Sequence, residues 1–179
     1  MILISLISSR GFTIIEMMVT VAVLAILTAI AVPSFNSFFD SYRVKRSADT
    51  FSAFLVNAKS EALKRNQTVR TVITGSGKTW CAGMTTKDTC NCSTAGDCQI
   101  DSADRVINSA SFQGVKLNGP DTGHAFEFKT QRGTVDGAET VKLESATGSK
   151  VNVVVGPVGR IRLCSPSGTG NMGGYPVCP

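Results

Sequence analysis

Hydrophobic positions along this chain change their spacing twice. From residue 11 to 32 the run GFTIIEMMVTVAVLAILTAIAV is apolar at nearly every position, with Glu16 its one charge. Such a run sets no face apart, and it has the ~20 residues a helix needs to cross a bilayer. From Val44 onward apolar residues recur at steps of three and four, at Val44, Ala48, Phe51, Leu55, Ala58 and Ala62. Arg43, Lys45, Arg46, Asp49, Lys59, Glu61, Lys64 and Arg65 fall mostly off that stripe, which is the pattern of a helix with one buried face. The two patterns predict one long helix to about residue 66, apolar all round in its first half and amphipathic in its second. Pro33 lies inside it, where loss of a backbone donor predicts a kink. After Asn66 the chain turns to short β-like runs at 68–74, 112–117, 125–129, 139–144, 151–155 and 160–164, separated by Gly, Asp, Pro and Ser. They predict an antiparallel sheet built mainly from hairpins. The amphipathic stripe should lie on it, leaving Phe35, Phe38 and Phe39 to face neighbouring molecules.

Length allows one anchor helix and one globular domain with its own core, and no second domain. The formal net charge of +5 is mildly basic, compatible with a polyanionic partner without requiring one. Arg10, just before the apolar run, predicts an N-terminus in the cytoplasm and the rest of the chain outside. All six cysteines then fall in the exported part, where disulfides are the default. Cys164 and Cys178 are the expected pair, because a bridge there closes the Pro/Gly-rich tail SPSGTGNMGGYPV. Cys81, Cys90, Cys92 and Cys98 allow three pairings that the sequence does not separate. A zinc site on Cys90, Cys92 and Cys98 is the competing reading, but the chain has a single histidine, His124, and the spacing is not that of a ribbon or finger.

Catalytic chemistry is poorly supplied. His124 opens a predicted strand, and Asp88, Asp97, Asp101, Asp104 and Asp121 read as turn residues. No glycine loop with a following lysine and helix is present to cradle a phosphate. Asn91-Cys92-Ser93 matches a glycosylation sequon only formally, with a cysteine expected to be bridged at its centre. Trp80 reads as a packing anchor at the rim of the cysteine-rich loop. No enzyme, metal or cofactor is expected.

Glu16 is the anomaly in the apolar run. A carboxylate at mid-membrane depth costs about 2.5–3.5 kcal/mol on insertion scales, so such a residue usually has a partner. Nothing else between Arg10 and Asp40 is charged, which places the partner on another molecule or on a newly made N-terminus. A secretory signal would have a shorter apolar core and a small-residue cleavage site after it, neither of which fits. Gly11-Phe12-Thr13-Ile14-Ile15-Glu16 resembles the class III signal of type IV pilins and type II secretion pseudopilins. The resemblance implies cleavage by a prepilin peptidase between Gly11 and Phe12, N-methylation of Phe12, and an assembly role for Glu16, pairing with the amine of a neighbouring subunit. It implies an α+β pilin fold, with a long N-terminal α-helix packed on an antiparallel β-sheet domain. The expected parts are a leader (1–11), a transmembrane and assembly helix (12–33) and a periplasmic pilin domain (34–179).

The C-terminal half is similar to the GspH/FimT group of minor pilins and pseudopilins, through Phe126 to Gly133 and the element Gly159-Arg160-Ile161-Arg162. On a strand, Arg160 and Arg162 project together while Ile161 and Leu163 turn to the core. Two guanidiniums about 7 Å apart suit neighbouring phosphates. Neutralising about two phosphates gives a salt slope near −1.8, so Lys150, Lys129 and Arg132 are the candidate helpers. The resemblance implies binding of double-stranded DNA in natural transformation, and so few basic residues without interleaved aromatics predict that it is weak and sequence-independent. The expected protein is thus a minor pilin of a type IV pilus, at or near the tip, anchored in the inner membrane before it joins other major and minor pilins. A type II secretion pseudopilin is the alternative, with no need of a basic terminal strand.

Overall fold

The computed structural model describes residues 11–130 and 132–179, with backbone alone at 32–34. The expected leader therefore lies almost wholly outside the described residues, as does the side chain of Pro33. The chain divides into two compact units between Phe38 and Phe39. One helix, α1 (Ile14–Arg65), is assigned across the division and stays helical at position 33.

In the first unit α1 is apolar and exposed. It is the one helix among the described residues long and apolar enough to cross a membrane, by length and composition. Thr13 starts it: the hydroxyl accepts the backbone N–H of Glu16 at 3.3 Å, the N-cap half of a Thr-x-x-Glu capping box.

The second unit begins with the amphipathic half of α1. Val44, Ala48, Phe51, Leu55, Ala58 and Ala62 are all fully buried, so the stripe read from the sequence is the core face of the helix. Two antiparallel sheets supply the rest of that core. The first has the order β5-β2-β1-β7-β8, from β1 (Val69–Ser76), β2 (Thr79–Thr85), β5 (Val106–Asn108), β7 (Ala125–Phe128) and β8 (Val135–Asp136). The second has the order β11-β10-β9-β6, from β6 (Lys116–Leu117), β9 (Thr140–Glu144), β10 (Lys150–Val155) and β11 (Ile161–Cys164). A small ribbon pairs β3 (Gln99–Ile100) with β4 (Ala103–Asp104).

Three expectations need correction. There are two main sheets rather than one, and β1 pairs with β7 as well as with its hairpin partner β2, a contact that spans the whole cysteine region. β2 runs through the rim of the expected cysteine-rich loop, where TWCAGMT shows no alternation. Six of its seven residues are buried, on both faces, so the period-two signal is lost. The run 112–117 is mostly not a strand: it follows a 3₁₀ turn at Ser109–Ser111, and Gly114 at φ +83° breaks it, leaving only Lys116–Leu117 paired.

The cysteine segment is a cover for the outer face of the first sheet. Cys81 is bonded to Cys92, Cys90 to Cys98, and Cys164 to Cys178. The first four cysteines pack with Val72 in a satellite cluster. Gly83 makes that cover possible, since a Cβ there would lie 2.3 Å from Cys98 Sγ. Arg65, at the end of α1, anchors the same segment by a two-pronged hydrogen bond to Asp101. That contact, with Glu61 second, holds the guanidinium pKa well above its ordinary value. Trp80 is buried between Phe51 and Phe112, each ring centroid 6.0 Å away, and its Nε1 donates to the Val115 carbonyl at 3.4 Å.

Candidate functional site: an exposed apolar helix and a basic terminal strand

Two places carry the residues singled out from the sequence. On the first unit, Phe12 is 76% exposed and Glu16 sits in the first turn of α1. A carboxylate there faces the positive end of the helix dipole, which offsets part of its unfavourable placement beside apolar side chains. No cation lies within ion-pair distance of it among the described residues, where the nine ion pairs all involve other residues. Phe12, Ile14, Met17, Met18, Val21 and Ala25 line an open apolar groove beside it.

On the second unit, the terminal element is set by a contact between two glycines. Gly159 (φ +72°) presses on Gly133 (φ +63°) so closely that a Cβ on Gly159 would lie 2.0 Å from the Gly133 carbonyl oxygen. Lys59 of α1 reaches the same point, its Nζ donating to the Gly159 carbonyl at 2.9 Å. Val135 N–H donates to the Pro157 carbonyl at 2.8 Å, tying the two turns together. The turns at Gly133 and Gly159 thus form one joint clamped by a helix lysine. Lys59 was not singled out from the sequence: a lysine beside an apolar stripe reads as a solvated residue, and its acceptor lies 100 residues away.

From that joint the alternation runs as expected. Arg160 and Arg162 are exposed, while Ile161 and Leu163 are partly buried against the core. β11 is an edge strand, paired on one side with β10 through Val155↔Ile161 and Val154↔Arg162. Arg132 is exposed beside Gly133, and so adjoins the joint. Lys150 starts β10 and lies on the same sheet as Arg162. Lys129 drops out of the helper set: its Nζ is 3.0 Å from Asp136 and 3.1 Å from Glu127, which together raise its pKa, so its charge is already matched. The sequence hid this because Asp136 comes from the next strand.

The other candidates are structural. His124 lies edge-on to Phe126 at 4.7 Å, with Nε2 donating to the Gly137 carbonyl at 2.9 Å and Nδ1 3.2 Å from Glu139. No group of three His, Cys, Asp or Glu could hold a metal among the described residues.

Residues 47–173 match the family described as Type II transport protein GspH. The chain belongs to the GspH family. Residues 2–32 match a second description, the prokaryotic N-terminal methylation motif, which covers Gly11, Phe12 and Glu16. Two curated relatives from Pseudomonas aeruginosa, each named "Fimbrial protein", are 36% identical to this GspH-family chain over 62 residues. That stretch is 35% of this chain, and the chain spans about two fifths of the length of each relative, 40%. No solved structure matches the chain. The GspH-family match includes both glycines of the joint and both arginines.

Proposed function

We propose that this GspH-family protein is a minor subunit of a type IV pilus. It is processed between Gly11 and Phe12, methylated on Phe12, and drawn into the fibre near its tip by α1 to prime assembly. The observation that carries the reading is Glu16: an acid in the first turn of an exposed apolar helix, with its backbone N–H capped by Thr13 and its carboxylate left for an outside cation. The amine of a processed neighbour supplies such a cation, at the same depth in a bundle of parallel helices. The fimbrial relatives support a pilus, whereas the family's own name, Type II transport protein, favours the alternative, a type II secretion pseudopilin. Before assembly the chain is anchored in the inner membrane with its second unit in the periplasm, and its partners are the prepilin peptidase and other major and minor pilins. Attached to this is a recognition role: Arg160 and Arg162, side by side on an edge strand, bind the backbone of double-stranded DNA during natural transformation. The role is structural and binding rather than catalytic.

Glu16→Ala tests the assembly reading. The variant should still be inserted and processed, since removing the charge favours the membrane, yet be depleted from sheared fibres at least tenfold. Normal incorporation would refute the role of this acid. Gly11→Ser should leave a slower-migrating precursor on a gel; a normally processed chain would refute the cleavage position. Gene deletion separates the systems: lost piliation and twitching fits the pilus, and trapped exoproteins fit secretion.

A further inference from the structure

The register of the second sheet places three lysines on the face that carries the two arginines. Residues paired across neighbouring strands point the same way. The pairs Lys116↔Glu144 and Glu144↔Lys150 form one row, Lys142↔Asn152 and Asn152↔Cys164 a second, and Thr140↔Val154 and Val154↔Arg162 a third. Arg160 continues the alternation beyond Arg162. On the opposite face stand Leu117, Leu143, Val151, Val141 and Val153, all buried in the core. The outer face therefore presents Lys116, Lys142, Lys150, Arg160 and Arg162 against a single acid, Glu144, whose carboxylate accepts from Asn118 Nδ2 at 2.6 Å. None of the five cations has a carboxylate within ion-pair distance among the described residues; the nine pairs there use other cations. Lys142, Glu144, Lys150, Asn118, Asn152 and Pro166 line one shallow cleft of about 280 Å³, so these side chains share a surface. The C-terminal tail lies against the second row, where Cys164 is bonded to Cys178 and Asn152 Nδ2 donates to Cys178 Sγ at 3.5 Å, and residues 165–178 include no Asp or Glu.

We propose that the outer face of the second sheet is a single track for duplex nucleic acid, running across the strands from β6 to β11, in which Lys116, Lys142 and Lys150 act with Arg160 and Arg162. It rests on the reading of Arg160 and Arg162 given above, and extends it from two contacts to five. Three inter-strand gaps make the track about 14 Å wide, a length over which duplex DNA carries about eight phosphate charges. The occupant is a phosphate backbone rather than a protein face, because protein interfaces have apolar centres depleted in lysine. Here the apolar residues in those rows are the half-buried Val154 and the buried Cys164, whose sulfur is taken up in its bridge to Cys178. It is a duplex rather than a single strand, because the rows hold no aromatic ring on which bases could stack.

The test is binding of the full-length chain, in detergent, to a 30-base-pair duplex of random sequence between 50 and 200 mM salt. Five phosphate contacts give a slope of log K against log salt near −4.5, where two give about −1.8. Lys116→Gln/Lys142→Gln/Lys150→Gln should move the slope to about −1.8 and weaken binding several hundred-fold at 0.1 M salt. Glu144→Gln should strengthen binding, and Lys142→Gln alone should shift the slope by about 0.9; circular dichroism on each variant checks that the sheet is intact. If the triple variant keeps the wild-type slope while Arg160→Gln/Arg162→Gln abolishes binding, the track is wrong and the two-arginine reading stands. If the wild type binds no duplex at 50 mM salt, both fail. Equal binding of poly-glutamate would overturn the track in favour of an acidic protein partner.

Discussion

Gly159→Ala strikes the joint that presents the terminal strand, and its cost can be worked from the structure. Gly159 has φ +72°, where an alanine costs about 1–2 kcal/mol in backbone strain. The new Cβ would lie 2.0 Å from the Gly133 carbonyl oxygen and 3.0 Å from Lys59 Nζ, so the 156–160 turn must lift away. Lifting it breaks the 2.9 Å bond from Lys59 to the Gly159 carbonyl. Hydrogen bonds from charged donors contribute about 1.5–3 kcal/mol, and the half-buried setting of Lys59 argues for the low end. Together these give a loss of about 2–4 kcal/mol. Gly77→Ala is the matched control: φ is +61°, but nothing lies within 4 Å of its Cβ position, so only the backbone part, about 1–2 kcal/mol, should appear. For a unit of this size each kcal/mol shifts Tm by about 2–4 °C. Thermal melts of the full chain in detergent, followed by circular dichroism, should therefore show a drop of about 4–16 °C for Gly159→Ala and about half that, 2–8 °C, for Gly77→Ala. Equal drops would refute the claim that the two turns are pressed together. A Gly159→Ala protein that melts lower yet binds duplex DNA with unchanged salt slope would show that the joint does not position the arginines.

Two further outcomes follow from buried and paired groups. Thr71 is fully buried on the core face of β1 and its Oγ1 has no hydrogen-bond partner among the described residues, so Thr71→Val should raise stability by about 1 kcal/mol, read as a higher urea midpoint; an unchanged or lower midpoint would mean the hydroxyl is satisfied. Glu127 is held below the ordinary glutamate pKa, first by the hydrogen bond from Arg70 and then by that from Lys129. Folding thus favours its ionised form: the stabilisation is full above the unfolded-state value and is lost as pH falls through the lowered folded-state value. Glu127→Gln should flatten the acid limb of the Tm profile below about pH 5; an acid limb identical to wild type would refute the coupling.

Legibility followed the range of the interactions. The helix stripe from Val44 to Ala62 could be read directly, because a period of 3.6 is written in neighbouring residues and the buried face needs no knowledge of its partner. The alternation from Arg160 to Leu163 could be read for the same reason. β2 could not, since one face is covered by α1 and the other by the disulfide segment, and double burial erases alternation. The pairing of Cys81 with Cys92 and Cys90 with Cys98 was likewise closed to the sequence, since pairing Cys81 with Cys90 and Cys92 with Cys98 would close loops of similar length and similar closure entropy. Lys129 looked free until Asp136 was placed beside it.

The sequence by itself determined the long helix, its change from uniformly apolar to one-sided, the N-terminal motif around Gly11 and Glu16, and the β character of the remainder, because each is a local pattern of polarity and backbone preference. Only the tertiary structure decided that the strands form two sheets, that Gly133 and Gly159 meet over Lys59, and that Lys116, Lys142 and Lys150 share a face with Arg160 and Arg162. Those depend on which strand pairs with which and in what register, and a shift of one residue would turn every one of those lysines into the core.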